Sequence, residues 1–340
     1  MSRALNVAIV GATGAVGETM LTVLQERDFP VHEVRLLASE RSVGKTMVFQ
    51  NKTLQVENLA DFDFSQVDIA LFSAGGSVSK EYAPIAVQAG CVVIDNTSCF
   101  RYDDDIPLIV PEVNAHRIYE YEKRGIIANP NCSTIQLVVA LKPIHDEVGI
   151  NRINVATYQA VSGTGKKAIN ELINQLGELL NGKQVKPVVY PQQIAFNVLP
   201  HIDEFQENGY TREEMKMVWE TKKILEDDSI LVNPTTVRVP VLYGHSEAVN
   251  IEMKVPLSAD EARQLLHHAP GVKVLDDPAK LLYPTPFTHA VGHDDVFVGR
   301  IRDDISHPCG LNLWIVADNI RKGAATNAIQ IAEILQRDYL

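Results

Sequence analysis

The chain has 340 residues, enough for two domains of ordinary size, with 46% hydrophobic and 22% charged residues, the balance of a soluble globular protein. Its formal net charge of -12 argues against a nucleic-acid binder, which needs a basic stripe, but leaves local sites for anionic ligands open. No apolar run approaches the roughly eighteen residues of a membrane-spanning helix. We therefore expect neither nucleic-acid nor membrane partners. The four cysteines (Cys91, Cys99, Cys132, Cys309) show no CxxC pair and no metal-ligand spacing, so no metal site is expected, and a reducing cytoplasm suits them.

In chain order, Leu5 to Val10 is a short β-rich run that feeds into Gly11-Ala12-Thr13-Gly14-Ala15-Val16-Gly17, and not into a signal-peptide cleavage site. A helical pattern follows (Met20, Leu21, Val23, Leu24). Strand, glycine turn and helix together form a dinucleotide-binding opening, in which backbone N–H groups meet a pyrophosphate at the helix N-terminus. Thr13 stands where the commoner fingerprint has its middle glycine. A second strand, Val34 to Ala38, ends in Ser39-Glu40-Arg41-Ser42. Glu40 could accept from a ribose 2′-OH, whereas Arg41 and Ser42 could hold a 2′-phosphate. We favour the phosphate, and hence NADP(H).

Strand runs Asp68–Ser73 and Cys91–Asp95 alternate with a helix through Tyr82, Ile85, Ala86 and Ala89, which implies a doubly wound parallel sheet. Ligands of such sheets bind at the carboxyl ends of strands. Arg101, close after one of those ends, is a candidate anion clamp; the alternative is a surface arginine paired with Asp103 to Asp105. The apolar run Ile126-Ile127-Ala128 precedes Asn129-Pro130-Asn131-Cys132-Ser133-Thr134, after which helical spacing resumes (Ile135, Val138, Val139, Ile144, Val148). Cys132 therefore opens a helix, where free N–H groups and the helix dipole favour a thiolate. By itself this stretch leaves a nucleophile and a merely buried cysteine both open.

Beyond Cys132, residues 150–160 read as a strand leading to Gln159-Ala160-Val161-Ser162-Gly163, and a polar segment follows. A helix starts near Thr211, whose spacing to Glu214 is that of a capping box. Glu213 and Lys216 share a face of that helix, by default as an exposed salt bridge. Thr236 to Val241 and Ser246 to Val255 are extended runs around Leu242-Tyr243-Gly244-His245. Arg238 and His245 make a plausible clamp and acid/base pair, although a histidine after a turn is more often merely exposed. Strands at 296–298 and 311–316 precede Asn319 and a last helix from about Gly323.

These motifs, from Gly11–Gly17 through Ser98-Cys99-Phe100-Arg101, Asn129–Thr134, Gln159–Gly163, Glu213 with Lys216 and Arg238–Val241 to Gly244-His245-Ser246-Glu247, span nearly the whole chain in order. Together they resemble the aspartate-β-semialdehyde dehydrogenases of the bacterial branch. The resemblance implies NADPH-dependent reductive dephosphorylation of L-β-aspartyl phosphate to L-aspartate-β-semialdehyde, a step of lysine, threonine, methionine and diaminopimelate biosynthesis. Cys132 would attack the acyl carbon, release phosphate and leave a thioester, which hydride would reduce.

By the same likeness His245 would be the acid/base group and Gln159 would orient the acyl intermediate. Arg238 would pair with the α-carboxylate and Glu213 with the α-amino group, while Arg101, Lys216 and Asn131 would bind phosphate. Thr13, Gly14, Ala15 and Val16 would take the pyrophosphate and Arg41 with Ser42 the 2′-phosphate. Ser162, Gly163 and Asn319 would lie near the nicotinamide. The implied fold is α/β, with a Rossmann-type doubly wound parallel domain over 1–130 and an α+β substrate and dimerisation domain with a mixed sheet over 131–318. The last helix, within 319–340, would pack back on the first domain, in a cytoplasmic homodimer. Two other readings remain: an N-acetyl-γ-glutamyl-phosphate reductase, whose acylated amine needs no Glu213, and a non-catalytic NADP-binding sensor, which needs none of Cys132, Gln159, Arg238 and His245.

Overall fold

In the computed structural model, which describes residues 3–340, the chain divides into two units. One runs up to Asn131 and adds Ala324–Leu340; the other is Cys132–Gly323.

The first unit contains β1 (Leu5–Val10), α1 (Ala15–Glu26), β2 (Val31–Ala38), β3 (Thr46–Phe49), β4 (Lys52–Asn58), β5 (Ile69–Phe72), α2 (Gly76–Gln88), β6 (Val92–Asp95), the single turn α3 (Pro111–Asn114) and β7 (Ile126–Ala128). Its sheet has the order β3-β4-β2-β1-β5-β6-β7. All pairs are parallel except the β3–β4 hairpin. Strands β5, β6 and β7 are buried at every residue, which is why they read as unbroken apolar runs and not as alternating ones. The hairpin escaped the sequence reading because its turn, Gln50-Asn51, carries no glycine, yet both residues adopt positive φ of 47° and 63°. The chain's last helix, α8 (Thr326–Asp338), places Ile331, Ala332 and Leu335 in the same core as Met20, Leu21 and Leu24 of α1. A π-helical turn, Arg321–Ala325, runs directly into it, so the helical run includes the expected start near Gly323.

The second unit contains α4 (Cys132–Val148), β8 (Ile150–Gln159), α5 (Lys166–Leu180), α6 (Arg212–Leu225), β9 (Leu231–Arg238), β10 (His245–Met253), α7 (Ala259–His267), β11 (Val272–Val274), β12 (Val296–Asp303) and β13 (Gly310–Ala317). Its mixed sheet has the order β11-β12-β13-β10-β8-β9. The β8–β9 and β11–β12 pairs are parallel and the rest antiparallel. Helix α4 lies on this sheet against β8, β10, β12 and β13, and α6 lies against β9 and α4.

Thr211 and Glu214 close the capping box at the start of α6, Glu214 Oε2 accepting from the Thr211 N–H at 2.7 Å. The other oxygen of Glu214 accepts from the Thr236 N–H at 3.0 Å, so the cap also ties α6 to β9. Residues 166–180, expected as a polar segment, form helix α5. Its apolar stripe of Ala168, Ile169 and Leu172 is buried, and the lysines and glutamates interleaved with it hid the period. Helix α7 and its capping box, Ser258 with Glu261, were also not anticipated. Among the described residues no helix is long and apolar enough to cross a membrane.

The β1 turn and α1 meet closely: a Cβ on Gly17 would stand 2.3 Å from the Gly11 carbonyl oxygen. Gly17→Ala should therefore lower stability by roughly 1–3 kcal/mol in urea denaturation and weaken dinucleotide binding. An unchanged midpoint would contradict this contact.

Candidate active site

In the first unit, β1 delivers the chain to Gly11, whose φ of 88° and whose would-be Cβ, 2.9 Å from the Ser73 carbonyl carbon, leave only glycine comfortable there. Gly14 caps α1 without a side-chain bond, so the first-turn N–H groups, starting at Ala15 and Val16, face no competing cap. A cavity of about 620 Å³ opens beside this turn, lined by Gly11, Thr13, Gly14, Glu40, Arg41 and Tyr82 among others. Ser42 Oγ lies 3.4 Å from Thr13 Oγ1 and 3.5 Å from Lys45 Nζ. A glycine cradle, a helix N-terminus and Arg41 in the lining fit a phosphorylated dinucleotide. Glu40 and Arg41 both line the cavity, so its lining does not decide between the two ribose readings.

At the end of β6, Asp95 is fully buried and its carboxylate accepts from Ser79 Oγ (2.8 Å), Thr97 N (3.0 Å) and Thr97 Oγ1 (2.7 Å). Burial still holds its pKa above the usual carboxylate value, against those bonds and the nearby Arg101 charge. Arg101 is buried, and its Nη2 donates to the Asn96 carbonyl at 2.8 Å. Asp103 and Asp105 pair with Arg124, at 3.4 and 3.1 Å; it is the burial of Arg101 that tells against a surface arginine. Buried amides join the strand ends: Asn129 donates to Asn96 Oδ1 at 2.8 Å, and Asn327 to Asn129 Oδ1 at 2.7 Å. Asn131, also buried, ends this unit.

In the second unit Cys132 is the first residue of α4, half-buried at the positive end of the helix. A Cβ on Gly323 would sit 2.9 Å from Cys132 Cβ, so glycine there leaves the cysteine its room.

The sheet brings the next group together. Arg238, ending β9, lies opposite Gln159, ending β8, and the β10–β8 register sets His245 beside that end. The next residue, Ala160, joins them through its backbone: its N–H donates to His245 Nδ1 at 3.0 Å, and its carbonyl accepts from Arg238 Nη1 at 2.7 Å. His245 is 0% exposed, which corrects the expectation of an exposed histidine. Burial first and the Arg238 charge second lower its pKa from 6.5 to about 3, opposed by Glu213. Its Nε2 is buried and finds no hydrogen-bond partner among the described residues. Gly163 guards that nitrogen, since a Cβ there would lie 3.4 Å from Nε2 and 3.0 Å from Arg238 Nη1.

Glu213 and Lys216 do pair, at 3.0 Å, but not on the surface: the glutamate is 5% exposed. Lys216 also reaches Asp203 Oδ2 at 2.7 Å, and Gln159 Nε2 donates to Glu213 Oε1 at 3.2 Å. Burial opposes the charge on Lys216, but Glu213 and Asp203 outweigh it and its pKa is raised. Ser162 Oγ lies 3.1 Å from Asn319 Oδ1 and 3.0 Å from Asn319 Nδ2, and the same Oδ1 accepts from the Gly244 N–H at 2.9 Å. This pair therefore fixes the turn that delivers His245.

Sequence reasoning missed four participants. Ala160 and Gly323 act through backbone and space and leave no chemical signature. Asp203 is reached only through the fold. Glu247 is fully buried two residues along β10 from His245; burial pushes its carboxyl well above the ordinary range and the nearby Gln136 amide opposes this only in part. Neither Glu247 oxygen makes a well-aligned bond.

A glycine turn at a helix N-terminus on one unit, with a helix-opening cysteine and a guanidinium–imidazole cluster on the other, fits the class of nicotinamide-dependent dehydrogenases. Comparison with known proteins narrows the class. The family model "Semialdehyde dehydrogenase, NAD binding domain" matches residues 6–121 and "Semialdehyde dehydrogenase, dimerisation domain" residues 141–322. The chain is 74% identical over 340 residues to the aspartate-semialdehyde dehydrogenase of Legionella pneumophila, covering 100% of this chain and 98% of that one. A crystal structure of aspartate semialdehyde dehydrogenase II from Vibrio cholerae, complexed with ASA, superposes with a TM-score of 0.98 at 62% identity and 100% coverage of both chains. The Candida albicans enzyme, crystallised with NADP, matches with a TM-score of 0.76 at 27% identity, over 98% of this chain and 99% of that one. The chain belongs to the aspartate-semialdehyde dehydrogenase family and is an oxidoreductase with a nicotinamide-dinucleotide fold.

The low folded-state pKa of His245 gives a pH signature. Between about 3 and 6.5 the unfolded chain binds a proton that the folded one refuses, so stability from this site is present above 6.5 and falls as pH drops. Glu247, raised in the fold, slopes the other way as pH rises above 4.5, so the wild-type curve alone hides both. The stability of wild type minus that of His245→Asn should fall by up to roughly 1.4 kcal/mol per pH unit below 6.5. A flat difference in urea midpoints would show that the ring is protonated in the fold.

Proposed function

We propose that the protein reduces L-β-aspartyl phosphate to L-aspartate-β-semialdehyde and phosphate with NADPH, through a thioester on Cys132, as a step of lysine, threonine, methionine and diaminopimelate biosynthesis. The observation that carries this reading is the buried cluster in which Ala160 bridges Arg238 and His245 while Glu213 joins Gln159 and Lys216. Its buried Arg238, half-buried Lys216 and buried Glu213 carboxylate complement an α-amino acid that carries a further anion.

Arg238 offers a fork for the α-carboxylate. Glu213 receives the α-ammonium, which displaces Lys216 from Oε2 and frees it, with Arg101 and Asn131, for the phosphate. Gln159 steadies the acyl group, and His245 faces it through Nε2. Cys132 attacks the acyl carbon from the helix N-terminus, where the dipole favours the anion. Thr13, Gly14, Ala15 and Val16 hold the pyrophosphate, Arg41 and Ser42 the 2′-phosphate, and Ser162, Gly163 and Asn319 the nicotinamide end. When bound, that cofactor supplies the hydride that converts the thioester to the aldehyde.

Glu213 favours this substrate over an N-acetylated one, whose amide nitrogen has no charge to match. We also place the protein in the cytoplasm, where its four free cysteines remain reduced. Its assembly is a homodimer: the second unit leaves Val188, Phe196, Val198 and Phe205 exposed, a surface that suits a partner subunit.

In the reverse direction, aspartate-semialdehyde and NADP should generate NADPH absorbance only when phosphate is present, and Cys132→Ala should abolish it while NADPH still binds. Activity with N-acetylglutamate-semialdehyde instead would overturn the substrate assignment. Arg238→Lys, which keeps the charge and loses the fork, should lower kcat/KM by roughly ten- to a hundredfold, the value of about 1.5–3 kcal/mol of charged hydrogen bonding. A near-wild-type value would remove Arg238 from the carboxylate.

A further inference from the structure

We infer that Tyr190 is a positioning residue for the substrate carboxylate: its ring lies across the Arg238 guanidinium and fixes the plane of the fork, and a strap of chain pinned by α5 holds the ring there. The inference rests on the proposed pairing of Arg238 with an α-carboxylate and adds the group that keeps the fork in register.

A single hydrogen bond fixes little of a guanidinium. Arg238 is buried, and its Nη1 donates to the Ala160 carbonyl at 2.7 Å. Its Nε finds no hydrogen-bond partner among the described residues. A guanidinium tied at one nitrogen can still pivot about that bond, and a pivoted fork cannot set two N–H groups against two carboxylate oxygens. A ring over its face removes the pivot. The Tyr190 ring centroid stands 6.0 Å from Arg238 Cζ, at a distance where cation–π attraction acts. A ring on the face takes up no hydrogen-bonding position, so the edge of the fork stays available to a ligand.

The strap explains how the ring comes to lie there. Residues 188–199 run without a long helix or strand, so their backbone groups need partners from elsewhere. One face of α5 supplies them. The buried Glu171 accepts from the Val188 N–H at 3.1 Å and from the Val189 N–H. One turn later, the buried Gln175 accepts from the N–H groups of Ile194 and Ala195, both at 3.1 Å, and donates to Glu171 Oε1 at 3.0 Å.

At its far end Leu199 exchanges two backbone hydrogen bonds with Arg238, each of 2.8 Å. The strap therefore starts on α5 and ends on the residue whose side chain its own ring covers. Tyr190 is fixed between these anchors. Its hydroxyl donates to Thr164 Oγ1 at 3.1 Å, and its ring packs on the apolar cluster that includes Val161, Leu172 and Leu199. A substrate with an α-carboxylate meets a fork already in plane, whereas one without it gains nothing from Tyr190.

The test compares two aldehydes in NADP- and phosphate-dependent oxidation by the full-length protein: aspartate-semialdehyde, and 3-aminopropanal, which keeps the amine and lacks the carboxylate. Wild type should strongly prefer the first; equal kcat/KM values would overturn the carboxylate reading of Arg238 and this inference with it. In Tyr190→Leu the KM for aspartate-semialdehyde should rise about tenfold. The KM values for NADP and phosphate, and kcat/KM for 3-aminopropanal, should not follow. Tyr190→Phe, which keeps the ring and loses only the hydroxyl, should bring KM back to within about twofold of wild type. An unchanged KM in Tyr190→Leu, or an equal loss on both aldehydes, would overturn the role of the ring and leave the carboxylate reading intact. Tyr190→Met makes the same comparison if the leucine variant does not fold.

Discussion

The geometry of the second unit hangs on one peptide group. Ala160 holds a ring on one side and a guanidinium on the other with two backbone groups, of which only a change to proline would take one away, the N–H. Backbone donors and acceptors are anchored by the strand that carries them, so they do not pay the rotamer entropy of a side chain doing the same work. The ring is fixed in one orientation, and the guanidinium is fixed at a set place beside it. Three strands converge there because β8 lies between β9 and β10 in the sheet. Had β8 been at an edge, its end could have met only one of the two.

A second constraint is electrostatic. The cluster buries Arg238, Lys216, Glu213 and His245 together, and desolvation penalises each charge. Lys216 is compensated by two carboxylates and stays charged; His245 faces a cation and stays neutral. Nearby Glu247 is opposed in its burial only by the Gln136 amide, and its pKa is pushed well up. Burial thus acts on these three groups with different results, according to what each finds beside it. The formal net charge of -12 does not predict them, because each is set by the group's own burial and neighbours.

The first unit uses space in place of charge. Gly11 and Gly17 leave no room for a Cβ, and this brings the end of β1 against α1 so that helix N–H groups stand at the cavity. The buried Asp95 and the Asn96–Asn129–Asn327 amides fasten the strand ends that carry Arg101 and Asn131. These polar contacts are internal to the unit and define a rim built from residues far apart in the chain.

Residue type and order alone were enough to read the doubly wound sheet, the glycine turn, the helix opened by Cys132 and the capping box of α6. Each depends on neighbours within a few positions, where periodicity and backbone sterics are local. The amphipathic helix α5 was equally local, but its charged residues masked the stripe. The state of Glu213 and Lys216 was not legible, since spacing makes a salt bridge but only the packing of α6 on β9 decides that it is buried. Nor was the state of His245, which a glycine turn would leave in water and the β10–β8 register puts in the interior. Ala160 could not have been singled out at all: its contribution is a peptide N–H and C=O that every residue but proline possesses. The sequence by itself determined which chemical groups exist and which local elements carry them; the tertiary structure alone decided which of them lost water and met one another, because desolvation and long-range pairing are properties of the packed chain.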